Sequence, residues 1–174
     1  MARGRVLQGW ADAQRGEAAT GIARLRDGFA AAEATGTRVN TPFYLALLAE
    51  ALAFAGKIEE GLAALDNALA QTASSGVRGW DAEIHRLRGE LIGRLPYPAP
   101  AKAEESFRTA LAIAREQGTR GYELRAATSL ARLWREQGRR SEARDLLAPV
   151  YGSFTEGFDT ADLKDAKALL DELA

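Results

Sequence analysis

Residues 131–147 read ARLWREQGRRSEARDLL, and residues 49–65 read AEALAFAGKIEEGLAAL. The two stretches share few letters, but a small residue opens each, a glycine follows seven places later, a glutamate precedes a second small residue, and a leucine closes both. The same pattern without the glutamate occurs in residues 9–25 (GWADAQRGEAATGIARL) and 89–107 (GELIGRLPYPAPAKAEESF). In the second of these stretches, Pro96 takes the turn position and two additional residues follow it. The closing residues are 40, 42 and 40 positions apart, so the chain is predicted to be built from repeats.

Each repeat reads as two amphipathic helices. Between residues 45 and 69, apolar residues recur every three or four positions, which is the period of a helix with one buried face. The glycine between the two helices suits the left-handed conformation that ends a helix, because glycine has no side chain to strain there. The predicted helices are 3–15, 17–34, 40–55, 58–73, 78–94, 100–117, 120–137 and 140–151, with breaks at Gly36-Thr37, Ser74–Gly76, Pro96–Pro100 and Gly118–Gly121.

A ninth helix is predicted after the segment YGSFTEGFDT, in which Phe154 and Phe158 are expected to act as anchors. Asp159 is the expected N-cap, because a carboxylate there accepts hydrogen bonds from the first-turn amides. The expected apolar stripe of this helix is Leu163, Ala166, Leu170 and Leu173.

The fold class is predicted to be all-α, with four antiparallel helix hairpins and a C-terminal capping helix. One hairpin cannot bury its apolar face alone, but stacked hairpins form a continuous core. We expect a single domain over residues 1–174, with units 1–36, 37–76, 77–118 and 119–153 and the capping helix at 159–173. No comparable cap precedes Val6, Leu7 and Trp10, which favours a fragment of a longer protein or an edge that self-associates.

Composition narrows the function further. The chain has 174 residues, of which 47% are hydrophobic and 27% charged, and a net charge of −1, so no overall field attracts nucleic acid or an anionic membrane. The absence of cysteine excludes disulfides, thiolate catalysis and zinc–cysteine sites. No apolar run reaches the ~18 residues of a membrane span, and the start lacks the apolar segment of a signal peptide. These features fit a cytoplasmic protein.

The order of small, turn and large residues resembles the tetratricopeptide repeat (TPR). Two copies follow that family's pattern of small residue, Tyr or Leu, turn glycine, Ala and aromatic: Ala49, Leu52, Gly56, Gly61, Leu65 and Ala68, and Ala131, Trp134, Gly138, Ala143 and Leu147. The resemblance implies a right-handed superhelical solenoid. The units are about 40 residues rather than the ~34 of the usual repeat, and the usual proline after the second helix is absent.

A narrower resemblance covers nearly the whole chain. The strings YLALLAEALAFAGKIEEGLAALDNAL, EIHRLRGEL, AEESFRTALAIAREQGTRGYELRAATSLARLW and LLAPVYGSFTEGFDTADLKDAKALLDEL look like the C-terminal region of certain bacterial multidomain proteins. Those proteins carry an adenylate/guanylate cyclase or DNA-binding domain, then an ATPase module, then repeats. The resemblance implies a sensory or scaffold segment without catalytic residues of its own.

Catalytic and cofactor patterns are weak. Gly56-Lys57 lacks the other residues of a phosphate-binding loop. His85 is the only histidine, and we expect it to pack between helices rather than act chemically. The pairs Glu59-Glu60 and Glu104-Glu105 diverge around their helices and sit at helix starts, where the helix dipole accounts for them. We therefore expect no catalytic residue, metal or cofactor.

The first helices of stacked hairpins line the inner, concave face of such arrays. The candidate contacts with a peptide on that face are Phe43, Glu50, Arg86, Glu90, Arg125 and Arg132. The bland interpretation is a solvated charged face. The functional one is a groove in which the arginines hold the carboxylates of an acidic peptide.

Protein interaction is the leading functional hypothesis, with a peptide, a partner domain or an upstream domain of the same protein as the partner. The alternatives are a small-effector pocket lined by Trp10, Phe43 and Phe54, and a homodimer formed through the N-terminal edge. Trp134 is expected in the core, and Trp80 at a helix start, partly exposed.

Overall fold

The computed structural model describes residues 2–34 and 39–174. Over these residues the chain forms nine α-helices and no strand, as the sequence predicts. The predicted break at Gly36-Thr37 lies outside the described residues. The helices are α1 (Ala2–Gln14), α2 (Ala18–Ala34), α3 (Thr41–Phe54), α4 (Ile58–Ser75), α5 (Asp81–Gly93), α6 (Pro100–Glu116), α7 (Arg120–Glu136), α8 (Arg140–Gly152) and α9 (Ala161–Glu172).

Most predicted helix bounds agree with the structure within one residue, and larger differences occur near α4 and α5. Helix α4 continues through Ser75 and ends at Gly76, whose φ of 72° is left-handed. Helix α5 begins at Asp81 rather than at residue 78, because the preceding residues form a turn in which the Asp81 amide donates to the Arg78 carbonyl over 3.1 Å. Helix α7 begins at Arg120 as predicted, so Gly121 lies inside it and the predicted break extends two residues too far.

The contacts between helices define a hairpin array. The odd-numbered helices contact one another in succession, α1 with α3, α3 with α5, α5 with α7, and α7 with α9. Within the described ranges, each even-numbered helix contacts only its neighbours along the chain. The odd-numbered helices therefore form a continuous inner row, and the even-numbered helices form separate ridges outside it.

The repeated skeleton is a packing pattern. In all four copies the two small residues, the closing residue and the apolar or small residue three places later are buried. These sixteen residues are Gly9, Gly21, Leu25 and Gly28; Ala49, Gly61, Leu65 and Ala68; Gly89, Ala103, Phe107 and Ala110; and Ala131, Ala143, Leu147 and Val150. The turn residues of the four copies are all exposed. The predicted assignment of Trp134 to the core is also confirmed, since only 6% of it is exposed.

The small residues set how closely paired helices approach. A Cβ added at Gly21 would lie 2.5 Å from the Gly9 carbonyl oxygen, and one added at Gly89 would lie 2.5 Å from the Phe107 ring. Non-bonded carbon atoms pack at about 3.5–4.0 Å, so neither position accepts a side chain without a shift of the neighbouring helix.

Four of the turns share one geometry. Gly138 has a φ of 79°, its amide donates to the Arg135 carbonyl over 3.0 Å, and the Arg139 amide donates to the Trp134 carbonyl over 2.8 Å. This is the Schellman arrangement that ends a helix with a left-handed residue. The same pair of hydrogen bonds recurs at Gly16, Gly56 and Gly118, all with positive φ.

The last helix differs in detail from its prediction. Thr160, not Asp159, is the N-cap residue of α9, and it makes no side-chain capping hydrogen bond. The buried stripe is Leu163, Ala166, Leu169 and Leu173, whereas Leu170 is only half-buried. Leu169, one position before the predicted Leu170, therefore faces the core. Phe154 packs against the core, while Phe158 is 46% exposed and contacts the Tyr151 ring.

We predict that Gly138→Ala lowers the free energy of unfolding by about 1–2 kcal/mol, because a Cβ disfavours the left-handed conformation. No heavy atom lies within 4 Å of the added Cβ, so the cost is conformational. Gly121→Ala is the matched control, since Gly121 has equally open surroundings but lies within helix α7. It should raise the free energy by up to about 1 kcal/mol. Urea denaturation measures both, and equal effects would contradict the assignment.

Candidate functional site

Four helices of the inner row surround one pocket of about 230 Å³. Each helix contributes side chains at a spacing of three or four, so the contributing residues share the face turned toward the neighbouring helices. We call this the aromatic pocket, and it is lined by Leu7, Trp10, Phe43, Ala46, Leu47, Glu50, Trp80, Glu83, Leu87, Tyr122 and Arg125.

Aromatic rings from successive helices contact one another along the pocket. The Phe43 ring of α3 stacks on the Trp80 ring just before α5, with centroids 4.4 Å apart and an interplanar angle of 27°. The Tyr122 ring of α7 lies 6.4 Å from Trp80 at a tilted angle of 58°. Trp10 supplies a fourth ring from α1. All four side chains are half-buried, so they leave part of their surface open to the pocket.

Glu50 is the distinctive polar group of the pocket. The indole Nε1–H of Trp10 donates to Glu50 Oε2 over 2.7 Å. Burial raises the pKa of Glu50, and this effect outweighs the Trp10 hydrogen bond and the charges of Arg86 and Arg125, which lower it. Within residues 2–34 and 39–174, Glu50 forms no ion pair. The pocket therefore contains a carboxylate without a basic partner in this part of the chain.

The other carboxylates near the pocket are neutralised within the chain. Glu83 Oε1 accepts from Arg86 Nη2 over 2.8 Å and lies 3.0 Å from Arg125 Nη2. Glu90 Oε1 lies 3.2 Å from Arg86 Nη1 and accepts from the Ser129 hydroxyl over 2.6 Å. Burial lowers the pKa of Arg86, but Glu83 and Glu90 raise that pKa by more, so the guanidinium stays charged. This network joins α5 to α7.

A smaller and more polar pocket of about 110 Å³ adjoins the first, with Arg125 shared between them. We call it the arginine pocket, and it is lined by Arg86, Arg125, Thr128, Ser129, Arg132, Asp162 and Asp165. Arg132 Nη2 donates to both Asp165 carboxylate oxygens, over 2.8 and 2.9 Å, and Arg125 Nε lies 3.8 Å from Asp162 Oδ1. Helix α9 therefore supplies acidic partners to the arginines of α7.

The predicted contact residues divide between the two pockets. Phe43 and Glu50 line the aromatic pocket, Arg86 and Arg132 the arginine pocket, and Arg125 both. Glu90 lies beside the arginine pocket, bonded to two of its lining residues, Arg86 and Ser129. Arg86 is only 8% exposed, and its guanidinium is directed to Glu83 and Glu90. Whether these residues contact a peptide stays a prediction.

Of the three residues predicted to line an effector pocket, Trp10 and Phe43 line the aromatic pocket and Phe54 does not, and binding of an effector stays a prediction. Phe54 is 46% exposed and does not line the aromatic pocket. It is the last residue of α3, eleven positions after Phe43, so it lies about 16 Å further along the helix axis.

Sequence reasoning did not place Trp80 and Tyr122 in the site. Trp80 precedes Glu83 by three positions, and Tyr122 precedes Arg125 by three, so each lies one helical turn before another residue that lines the pocket. Extending the predicted face of α7 by one turn from Arg125 toward the start of the helix identifies Tyr122, whereas Trp80 precedes the first residue of α5.

Other chemical features are structural. His85 is half-buried, and burial lowers the pKa of its imidazole. Among the residues that the structure describes, no cluster of His, Cys, Asp and Glu could hold a metal ion. The guanidinium carbons of Arg108 and Arg139 lie 5.1 and 4.5 Å from the ring centroid of the buried Trp134, at cation–π distance. A search of the described helices for a membrane span finds none that is sufficiently long and apolar.

Comparisons with known proteins place the fold. No family model matches the chain. An uncharacterized protein of Rhizobium meliloti (strain 1021) is 34% identical over 128 residues, which are 74% of this chain but only 12% of that protein. Crystal structures of the nearly identical TPR-like repeats of a candidate kinesin light chain from Podosopora anserina superpose with a TM-score of 0.68, and of a point variant of those repeats with 0.70. Both superpositions cover 98% of this chain and 84% of the matched chain. The sequence identity is 18% for the first structure and 17% for the point variant. The chain therefore has the fold of TPR-like repeats.

We predict that Glu50→Gln raises the free energy of unfolding at pH 7, because burial disfavours the charged carboxylate more than the Trp10 hydrogen bond and the nearby arginines favour it. Glutamine keeps a side-chain oxygen as acceptor for Trp10 and removes the buried charge. Because the folded state raises the pKa of Glu50, the carboxyl contributes stability below its unfolded pKa, and this contribution is lost as pH rises through its folded pKa.

The advantage of Glu50→Gln over the natural chain should therefore shrink as the solution is acidified. Denaturant unfolding between neutral and acidic pH measures it, with Glu105→Gln on the exposed face of α6 as the control. A glutamine variant that is less stable at pH 7, with a deficit that grows with pH, would refute the burial argument.

Proposed function

We propose that this chain is a non-catalytic protein-interaction module that binds an extended peptide segment of a partner along the inner helix row, with the aromatic pocket as the anchor. The observation that carries the proposal is the convergence of Trp10, Phe43, Trp80 and Tyr122 from α1, α3, α5 and α7 on one open pocket. Aromatic side chains with exposed faces are the residues on which protein interfaces concentrate their binding energy.

The size of the pocket favours a side chain over a whole small molecule. Sites that enclose a small ligand measure about 300–1,000 Å³, whereas the aromatic pocket measures about 230 Å³. A small effector is the second candidate function, supported by the mixture of apolar walls and one carboxylate in the same pocket.

The arginine pocket supports an acidic partner less well. Arg132 is bonded to Asp165, and Arg125 and Arg86 are bonded to Glu83. An acidic peptide would have to displace these carboxylates. Its gain in binding free energy would then be only the difference between the free energies of two similar ion pairs. The aromatic pocket requires no such exchange.

The larger context is also part of the proposal. We infer that the chain is the C-terminal repeat region of a bacterial signalling protein that carries a cyclase or ATPase upstream, in the cytoplasm. Support comes from the resemblance of its sequence strings and from the match to a Rhizobium meliloti protein of which it spans only 12%. The bound segment then belongs to another protein or to an upstream domain of the same chain.

The N-terminal edge provides a further proposed contact. Leu7 of α1 is 40% exposed and belongs to the first helix of the inner row. A homodimer through this edge would extend the inner row into a second copy. Light scattering over a range of concentrations tests it, and a monomer at every concentration would exclude it for this chain.

For the interaction itself, we predict that Phe43→Ala weakens the binding of library-selected peptides by about tenfold or more, since truncation of a residue that anchors an interface costs about 2 kcal/mol or more. Random hexapeptides are selected against the natural chain, and the affinities of selected peptides are measured by fluorescence anisotropy. Phe54→Ala is the matched control, because Phe54 lies on the same helix, is exposed and is outside the pocket.

Two outcomes would overturn the proposed function. One is a selection that yields no binding peptide. The other is a set of peptides whose affinity falls equally in Phe43→Ala and Phe54→Ala. Circular dichroism of both variants verifies that the helical array is retained.

A further inference from the structure

We propose that the aromatic pocket selects a cationic side chain, an arginine or a lysine of the bound peptide, with its charged head at Glu50 and its methylene stem along the apolar and aromatic walls of the pocket. This inference rests on the proposed function and specifies the residue that the pocket recognises.

The first argument is the arrangement of the rings. A guanidinium or ammonium group is attracted to the negative face of an aromatic ring within about 6 Å of its centroid. Phe43 and Trp80 stack with centroids 4.4 Å apart, and Tyr122 tilts toward Trp80 from the neighbouring helix. Phe43 and Trp80 cover one face of each other, but both rings, together with Trp10 and Tyr122, still line the pocket, so aromatic surface from four residues surrounds one bound group.

The second argument is the charge of Glu50. Its carboxylate has one neutral hydrogen-bond donor, the Trp10 indole, and forms no ion pair among the described residues, since the charges of Arg86 and Arg125 act on it only from beyond 4 Å. Glu83, the other acid of the pocket, is already held by Arg86 and Arg125. A ligand cation at Glu50 would thus gain a charge-assisted hydrogen bond without breaking an ion pair inside the protein.

The third argument concerns the apolar walls. Leu7, Ala46, Leu47 and Leu87 line the pocket together with the rings. Arginine and lysine bury their methylene stems along apolar surface while the charged head finds a polar partner. The combination of an apolar wall and one carboxylate matches both parts of such a side chain.

The same geometry disfavours other ligands. A purely apolar side chain would cover Glu50 without a partner, which leaves a buried charge uncompensated. An anionic side chain would meet Glu50 directly, and the pocket's arginine, Arg125, is paired with Glu83. Selectivity for a cation follows from what the pocket penalises as well as from what it attracts.

The test uses single-residue probes with matched neutral analogues. Nα-acetylarginine methylamide and Nα-acetyllysine methylamide are titrated into the full chain, and their citrulline and norleucine counterparts serve as uncharged isosteres. Tryptophan fluorescence reports occupancy, because Trp10 and Trp80 line the pocket while Trp134 is buried elsewhere. The expected result is saturable binding of a cationic probe that is about tenfold tighter than its neutral analogue.

The variant Glu50→Gln removes the charge while retaining an acceptor for Trp10. It should bind the cationic probe about tenfold more weakly and bind the cationic and neutral probes with similar affinity. Glu105→Gln on α6 is the control and should behave as the natural chain does. Equal binding of cationic and neutral probes to the natural chain, no saturable binding of either cationic probe, or unchanged discrimination in Glu50→Gln would each overturn the inference.

These outcomes are separable from failure of the proposed function. Selected peptides that depend on Phe43 but carry no required arginine or lysine would retain the interaction module and refute only the cation preference. A selection without any binding peptide would refute the module itself, whatever the single-residue probes do.

Discussion

The close approach of paired helices at small-residue positions is the constraint on which the array depends. A side chain at Gly21 would meet the Gly9 carbonyl at 2.5 Å, and one at Gly89 would meet the Phe107 ring at the same distance. In the other two copies alanine occupies most of the equivalent positions and is fully buried. These contacts recur at the same place in each hairpin, and most turns have the same left-handed glycine geometry. The first helix of each hairpin therefore has a similar position relative to the second. The inner row follows from this repetition.

The pocket is a consequence of how the inner row is filled. Paired helices touch through glycine and alanine, but successive inner helices meet through larger groups such as Trp10, Phe43 and Trp80. These large rings lie on different helices and do not pack as tightly as the small buried residues of the repeats, so space remains between them. The carboxylate of Glu50 lies in that space and is held by a single neutral donor. The repeat pattern therefore supplies the scaffold, and the residues outside the pattern create the site.

The sequence predicts the fold well because the small, turn and closing residues of each repeat lie close together in the sequence and determine how one hairpin packs. Small residues, a turn glycine and a closing leucine within seventeen positions are sufficient to indicate a hairpin, and the helical period places Phe43, Glu50 and Arg125 on one face. The partners of the arginines were not predictable in this way. Arg132 and Arg135 are bonded to Asp165 and Glu172 of α9, more than thirty positions away and across an irregular linker. Local periodicity gives the direction of a side chain, but pairing between distant elements depends on the three-dimensional arrangement of the last helix.

The two halves of the inner row consequently differ in charge. Toward the C-terminus, α9 buries Leu163, Ala166 and Leu169 against the array and places acids on the arginines of α7, so apolar and electrostatic requirements are met together. Toward the N-terminus, the half-buried Glu50 lines the aromatic pocket, and removal of its carboxylate from water raises its pKa. A buried carboxylate without a basic partner disfavours folding at neutral pH, while one with an external cation does not. Under the proposed function, this asymmetry favours a cationic ligand in the first half of the row, because a positive charge from outside would there replace the partner that the chain supplies for itself in the second half.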